Sequence, residues 1–143
     1  MGKLKILIVE DDPILQEFYK IGLPEEEYEK RFSGNGIDAL EIYKTWKPDI
    51  VILDIGLPEM DGCSVLKKIR EEIEDEDTTI IMITGDSDKH KINDCIKLGI
   101  SDYIVKPFSE KEISNPFRLE GIKTMIKKAH KEKCHMVIAE SPT

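Results

Sequence analysis

Four short clusters in this 143-residue chain carry side chains suited to phosphate and metal chemistry. They are Glu10-Asp11-Asp12, Asp54 with Ile55-Gly56-Leu57-Pro58-Glu59-Met60-Asp61-Gly62, Thr84-Gly85-Asp86, and Lys106-Pro107-Phe108. Glu10, Asp11 and Asp54 in one pocket would repel one another, which makes their ionised forms hard to keep together. A hard divalent cation relieves that repulsion, and Mg2+ takes a few carboxylates, waters and phosphate oxygens. Such an ion also neutralises charge on a phosphoryl group in transfer. A carboxylate oxygen is a competent nucleophile toward phosphorus and gives an aspartyl phosphate. Lys106 would pair with that phosphate, and the Thr84 hydroxyl would donate a hydrogen bond to it. Asp12, followed by Pro13, reads as a helix N-cap and is left out of the metal set. Each cluster alone has a plain alternative as a cap, a dipole partner or a turn. What decides is whether the fold brings all four to one place.

The apolar pattern supplies that fold. Short β-type runs occupy Leu4–Val9, Ile50–Leu53, Ile80–Ile83 and Tyr103–Val105, and Tyr28–Phe32 alternates like an edge strand. Between them lie helical periods. Asp12-Pro13 opens a helix with Ile14, Leu15, Phe18 and Ile21 on one face; Ile37, Leu40, Tyr43 and Trp46 mark a second that stops before Pro48. Val65, Leu66, Ile69 and Ile73 mark a third, and Ile92, Cys95 and Ile96 a fourth closed by Gly99. Leu119, Ile122, Ile126 and Ala129 mark the last. Strands alternating with helices predict an α/β fold, a parallel sheet covered on both faces by right-handed crossovers. Ligands in such folds bind at the carboxyl ends of the strands, where the strand order reverses. All four clusters fall at carboxyl ends.

Composition narrows the class. Hydrophobic residues make up 40% and charged residues 35%, as in a soluble globular domain. No apolar run approaches the ~20 residues of a membrane helix, and the first residues lack a secretory signal, so a cytoplasmic location is expected and a membrane is not. Gly2 does not fit a myristoylation site, because position 6 is Ile6. Cys63, Cys95 and Cys134 are odd in number and widely spaced with no CxxC pair, which argues against a disulfide framework and a zinc site, and they read as two packed thiols and one in the tail. The net charge of −8 argues against direct nucleic-acid binding. The basic stretch Lys123, Lys127, Lys128, Lys131 and Lys133 reads as a solvated helix end.

Taken with Ile6-Leu7-Ile8-Val9, the acidic, Leu57–Gly62, Thr84 and Tyr103/Lys106-Pro107-Phe108 motifs make the chain resemble the receiver domain of two-component response regulators, well over residues 3–114 and loosely beyond. The resemblance implies a flavodoxin-like (βα)5 doubly wound sheet of strand order 2-1-3-4-5, with a receiver over 1–133 and a tail over 134–143. It implies that Asp54 accepts phosphate from a histidine kinase or phosphotransfer protein. Asp11 and Asp54 would ligate Mg2+ directly, Glu10 through a water, and Gly56 through its backbone carbonyl. Thr84 and Tyr103 would form the switch and Lys106 the phosphate's cation partner, with Lys106-Pro107 cis. A downstream protein would read the face of helix four, strand five and helix five. The domain would promote only its own phosphorylation and dephosphorylation. Bare Gly56 and Asp86 would flank the path of the hydrolytic water, although Asp86 also suits a helix cap. A static, half-exposed Tyr103 is the alternative to the switch.

The chain departs from the family near its end. Asn115-Pro116 interrupts the expected last helix, since the residue before proline resists helical geometry. A short turn near Ser109–Ile113 and a new helix capped by Asn115, weakened by Gly121, are predicted instead. The acidic loop Glu71–Asp77 is longer than typical and reads as solvated. Rival readings are a receiver cut from a longer DNA-binding regulator or hybrid kinase, and an aspartate-based phosphatase. The haloacid-dehalogenase type is rejected because Gly56 stands where a second Asp is needed. A flavoprotein is disfavoured because the first loop offers acids, not donors, to a flavin phosphate.

Overall fold

The computed structural model describes residues 3–84, 91–100 and 102–105, with Thr84 and 102–105 in backbone only. Within them the chain alternates β1 (Leu4–Val9), α1 (Pro13–Gly22), β2 (Tyr28–Ser33), α2 (Gly36–Trp46), β3 (Ile50–Asp54), α3 (Gly62–Lys67), β4 (Thr79–Thr84), α4 (Ile92–Leu98) and β5 (Asp102–Val105). The strands form one parallel sheet of order β2-β1-β3-β4-β5. This is the flavodoxin-like order expected, with β2 at an edge. The predicted last helix, the Asn115-Pro116 break, the Lys106-Pro107 peptide and the tail lie outside the described residues.

Strand alternation divides the core in two. Leu7, Val9, Val51, Leu53, Ile80 and Met82 face α2, α3 and α4. Ile6, Ile8, Ile50, Ile52, Ile81 and Ile83 face the other way, where α1 contributes Leu15, Phe18 and Tyr19. Every residue of β3 is buried. Helices thus cover both faces, and the sense of winding reverses between β1 and β3.

The helix ends follow local chemistry. Asp12 caps α1 by accepting from the Ile14 N–H at 2.9 Å, Asn35 caps α2 through Asp38 N–H at 2.8 Å, and Asp61 caps α3 through Ser64 N–H at 2.8 Å. α2 ends at Lys47 in the left-handed region (φ 52°) just before Pro48, and α4 ends at Gly99 (φ 97°). The faces of two helices differ from the periodicity. Ile14 and Ile21 are 46% and 71% exposed, and Tyr19 replaces them inside; Ile37 is likewise exposed, and Ala39 packs inward. Leu15, Phe18 and Tyr19 at i, i+3 and i+4 make a tighter stripe than the Ile14/Ile21 pair, and the aromatic bulk fills the layer.

α3 continues into a single π-helical turn, Lys68–Glu72, in which the Ile73 N–H reaches the Lys68 carbonyl at 2.9 Å. The wider turn puts two successive residues, Ile69 and Arg70, inside, while Ile73 drops to the surface. Arg70 then donates to the carbonyls of Gly99 (2.7 Å), Asp75 (2.8 Å) and Thr78 (2.8 Å). The acidic loop is not uniformly solvated as expected. Asp75 accepts from Tyr43 Oη, from Thr78 Oγ1 at 2.6 Å, and from the N–H groups of Asp77 and Thr78.

Candidate functional site

The site lies where β1 and β3, adjacent in the sheet, release their chains to opposite faces. Val9 pairs with Leu53 in register, so Glu10 leaves β1 beside Asp54 at the end of β3. Glu10 is 2% and Asp54 4% exposed, whereas Asp11 reaches solvent. Carboxylate oxygens of Glu10, Asp11 and Asp54 all lie within 4.8 Å of one another.

Backbone and cap groups hold these acids in place. The Glu10 N–H donates to the Ser33 carbonyl (2.9 Å), and the Glu10 carbonyl accepts from Gln16 Nε2 (2.7 Å) on α1. The Glu10 carboxylate accepts from the Asp12 N–H at 3.2 Å, and Asp54 Oδ1 accepts from the Gly56 N–H at 3.1 Å. Past Asp54 the chain doubles back: the Leu57 and Gly62 N–H groups both reach the Ile55 carbonyl, at 3.0 and 2.9 Å. Glu59 takes a left-handed φ of 65° in that loop. Gly62 is required by close approach, because a Cβ there would stand 2.2 Å from the Asp54 carbonyl oxygen. Gly36, on α2, meets the same loop: its Cβ would fall 2.2 Å from the Met60 carbonyl oxygen.

The sheet brings the backbone of Thr84 to the same edge. Asp54 pairs with Ile83, and Thr84, one residue on, pairs with Val105; Tyr103 pairs with Met82. The strands therefore carry Thr84 and the end of β5 to the rim on which Asp54 sits. The side chains of Thr84 and Tyr103, and Lys106 and Asp86 altogether, lie outside what the structure describes. Gly56 is exposed in the loop after Asp54.

Three features escaped the reading of the sequence. Gln16 anchors Glu10 from one turn into α1, a contact with no motif to signal it. Gly62 belongs to a loop motif that does not announce its close approach to Asp54. Tyr19 is buried beneath the acids; burial, then the charges of Glu10 and Asp54, push its phenol well up, so it stays neutral.

The donor set suits a hard cation. All three groups offer oxygen, and octahedral coordination at about 2.0–2.1 Å places ligand oxygens roughly 3 to 4 Å apart. The observed spread, within 4.8 Å, is close to that range, and Asp11 is exposed rather than packed in place.

The sequence and the fold also match known proteins. Residues 6–118 match the family model described as the response regulator receiver domain. The chain is 36% identical over 109 residues to the DNA-binding response regulator MtrA of Mycolicibacterium smegmatis, covering 76% of this chain and 46% of that protein. It is 37% identical over 109 residues to the transcriptional regulatory protein SrrA of Staphylococcus aureus, covering 76% and 44%. The chain thus spans about half the length of the curated relatives it matches. Among solved structures, the receiver domain of AraT, a response regulator from Geobacillus stearothermophilus, superposes with a TM-score of 0.73 at 26% identity, covering 92% of this chain and 99% of that one. A CheY-like receiver domain protein from Methanospirillum hungatei gives 0.72 at 27%, with 92% and 99% covered. On the sequence match and the fold together, this chain belongs to the response regulator receiver domain family of two-component signalling.

Proposed function

We propose that Asp54 is the phosphate acceptor of this receiver and that Mg2+ is held beside it by Asp11 and Asp54 directly, by Glu10 through water, and by the Gly56 carbonyl. The observation that carries this reading is the convergence of three carboxylates from two adjacent strand ends within 4.8 Å, two of them buried. When bound there, Mg2+ would offset the charge of the acids and of the incoming phosphoryl group. Asp54, fixed by the Gly56 N–H at its Oδ1, attacks phosphorus with its other carboxylate oxygen and becomes an acyl phosphate. Lys106 pairs with the phosphate, and the Thr84 hydroxyl donates to it. Thr84 moving toward the phosphate frees space that Tyr103 turns into, a population shift that alters the face of α4, β5 and the last helix. A downstream protein reads that face. The donor is a histidine kinase or phosphotransfer protein in the cytoplasm. The domain has no other enzymatic role: it loses its phosphate by attack of water along a path that Gly56 leaves open and Asp86 flanks.

Residues 1–133 form the receiver in this reading and 134–143 a tail. A second reading, that the receiver serves a longer regulator, is favoured by relatives about twice the matched length, one of them described as DNA-binding. Output would then pass to an attached DNA-binding part, not to nucleic acid from the receiver itself.

Incubation with acetyl phosphate and Mg2+ tests the assignment by intact mass. The wild-type chain gains one phosphoryl group, and Asp54→Asn gains none. Equal phosphorylation of both would overturn it.

A further inference from the structure

Cys63 and Cys95 stand far apart in the sequence, on different helices, yet their sulfurs meet. Cys63 is the second residue of α3, Cys95 lies in the middle of α4, and the Sγ–Sγ distance is 2.7 Å with both thiols free. A disulfide needs sulfurs about 2.05 Å apart, and these two already stand within reach of one another. Access to the two is unequal. Cys95 is 0% exposed within the apolar layer beneath the sheet. Cys63 is half-buried and lines a cleft of about 550 Å3 between α3 and α4, together with Asp61, Lys67, Lys91 and Asp94. An oxidant small enough for that cleft meets Cys63 first.

The electrostatics favour the same order of events. The hydrogen bond with Cys95 holds the Cys63 thiol below the ordinary thiol range against burial, with Lys91 acting in the same direction and Asp61 and Asp94 opposing. Cys95, facing that sulfur in a buried setting, is pushed well up. The accessible thiol is the one placed to act as nucleophile, with the buried one directly behind it.

We propose that Cys63 and Cys95 are a two-electron redox pair that a peroxide closes into a disulfide between α3 and α4. The Cys63 thiolate attacks one peroxide oxygen, the O–O bond breaks, and the departing oxygen takes a proton and leaves as water or alcohol. Cys63 is then a sulfenic acid. Cys95 sulfur attacks Cys63 sulfur, the S–O bond breaks, and hydroxide leaves as water with the Cys95 proton. Two thiols have lost two electrons and two protons, and one peroxide has been reduced. Thiol reductants reverse the bond by exchange. The bridge lands beside Gly62, whose backbone packs on Asp54, so it ties the loop after Asp54 to α4. The proposal concerns the two thiols alone and stands whether or not Asp54 accepts phosphate.

The test treats the reduced, folded full chain with stoichiometric hydrogen peroxide, alkylates the remaining thiols, and reads intact and peptide masses. The expected result is loss of two of the three alkylatable thiols, a monomer lighter by two hydrogens, and one cross-linked peptide joining Cys63 to Cys95, all reversed by dithiothreitol. Cys95→Ala should leave Cys63 as a sulfenic acid that dimedone traps, and Cys63→Ala should leave Cys95 unreacted. Three thiols still alkylated after peroxide, or a bridge that uses Cys134, would overturn the proposal. Because the wild-type measurement decides alone, a variant that fails to fold does not obscure the answer.

Discussion

Asp11 is the one acid of the trio that meets solvent, and that exposure defines its part. Glu10 and Asp54 are fixed by burial and by backbone donors, so in the proposed site Asp11 is the ligand that an arriving ion would meet first. Removing it leaves the fold's core untouched. Asp11→Ala is expected to abolish Mg2+ binding and phosphorylation from acetyl phosphate while leaving the thermal midpoint within a degree or two of wild type. A Mg2+ titration checks this, and an unchanged affinity would remove Asp11 from the site. Gly62 acts at the same scale through what it lacks. A Cβ 2.2 Å from the Asp54 carbonyl forces backbone to move, since a carbonyl on a central strand cannot rotate away. Gly62→Ala is expected to cost about 2 kcal/mol in urea denaturation and to slow phosphorylation as well. A stable variant with wild-type phosphorylation would mean that the loop adapts.

Among the elements, the π-helical turn after α3 organises one end of the molecule opposite the acids. By placing Ile69 and Arg70 both inward it sends one guanidinium to three carbonyls, on the end of α4 and in the loop before β4. Loss of those donors strands buried acceptors, so Arg70→Ala is expected to destabilise by roughly 2–4 kcal/mol, and Arg70→Lys to recover little, because an ammonium cannot reach three directions at once. Equilibrium urea unfolding measures both. Asp75 in the same loop gives a pH signature. Burial would raise its pKa, but hydrogen bonds from Thr78, Tyr43 and the Thr78 and Asp77 backbone pull it down to about 2, from 3.8. A depressed carboxylate stabilises above its unfolded pKa and loses that contribution as pH falls through the folded value. Wild type should therefore exceed Asp75→Asn in stability near neutral pH, and the gap should close between about pH 4 and pH 2. A gap that stays constant through that interval would show that the Asp75 carboxylate contributes nothing as a charge.

Across the whole molecule, the strand positions, the parallel order and the meeting of Glu10, Asp11 and Asp54 were legible in the sequence. Near-continuous Ile, Val and Leu in β1, β3 and β4 leaves no other way to bury them, and parallel winding then sends every strand's carboxyl end to one rim. Less legible was what depends on side-chain bulk and through-space distance. Periodicity alone assigned Ile14 and Ile21 to the core, where Tyr19 sits, and no local pattern announces a π-helical turn or an arginine that bonds to carbonyls five, eight and 29 residues away. Cys63 and Cys95 read correctly as packed thiols, but their mutual contact is a property of how α3 meets α4.

Among the three neighbouring carboxylates, Asp54 is the one proposed to carry phosphate. Borohydride reduction of the phosphorylated chain converts an acyl phosphate to an alcohol and so marks the modified residue in a peptide map. A single mark is expected, homoserine at position 54, with Glu10 and Asp11 intact and no mark when Mg2+ is withheld. A mark at Glu10 or Asp11, or phosphate retained on a residue that borohydride does not reduce, would contradict it.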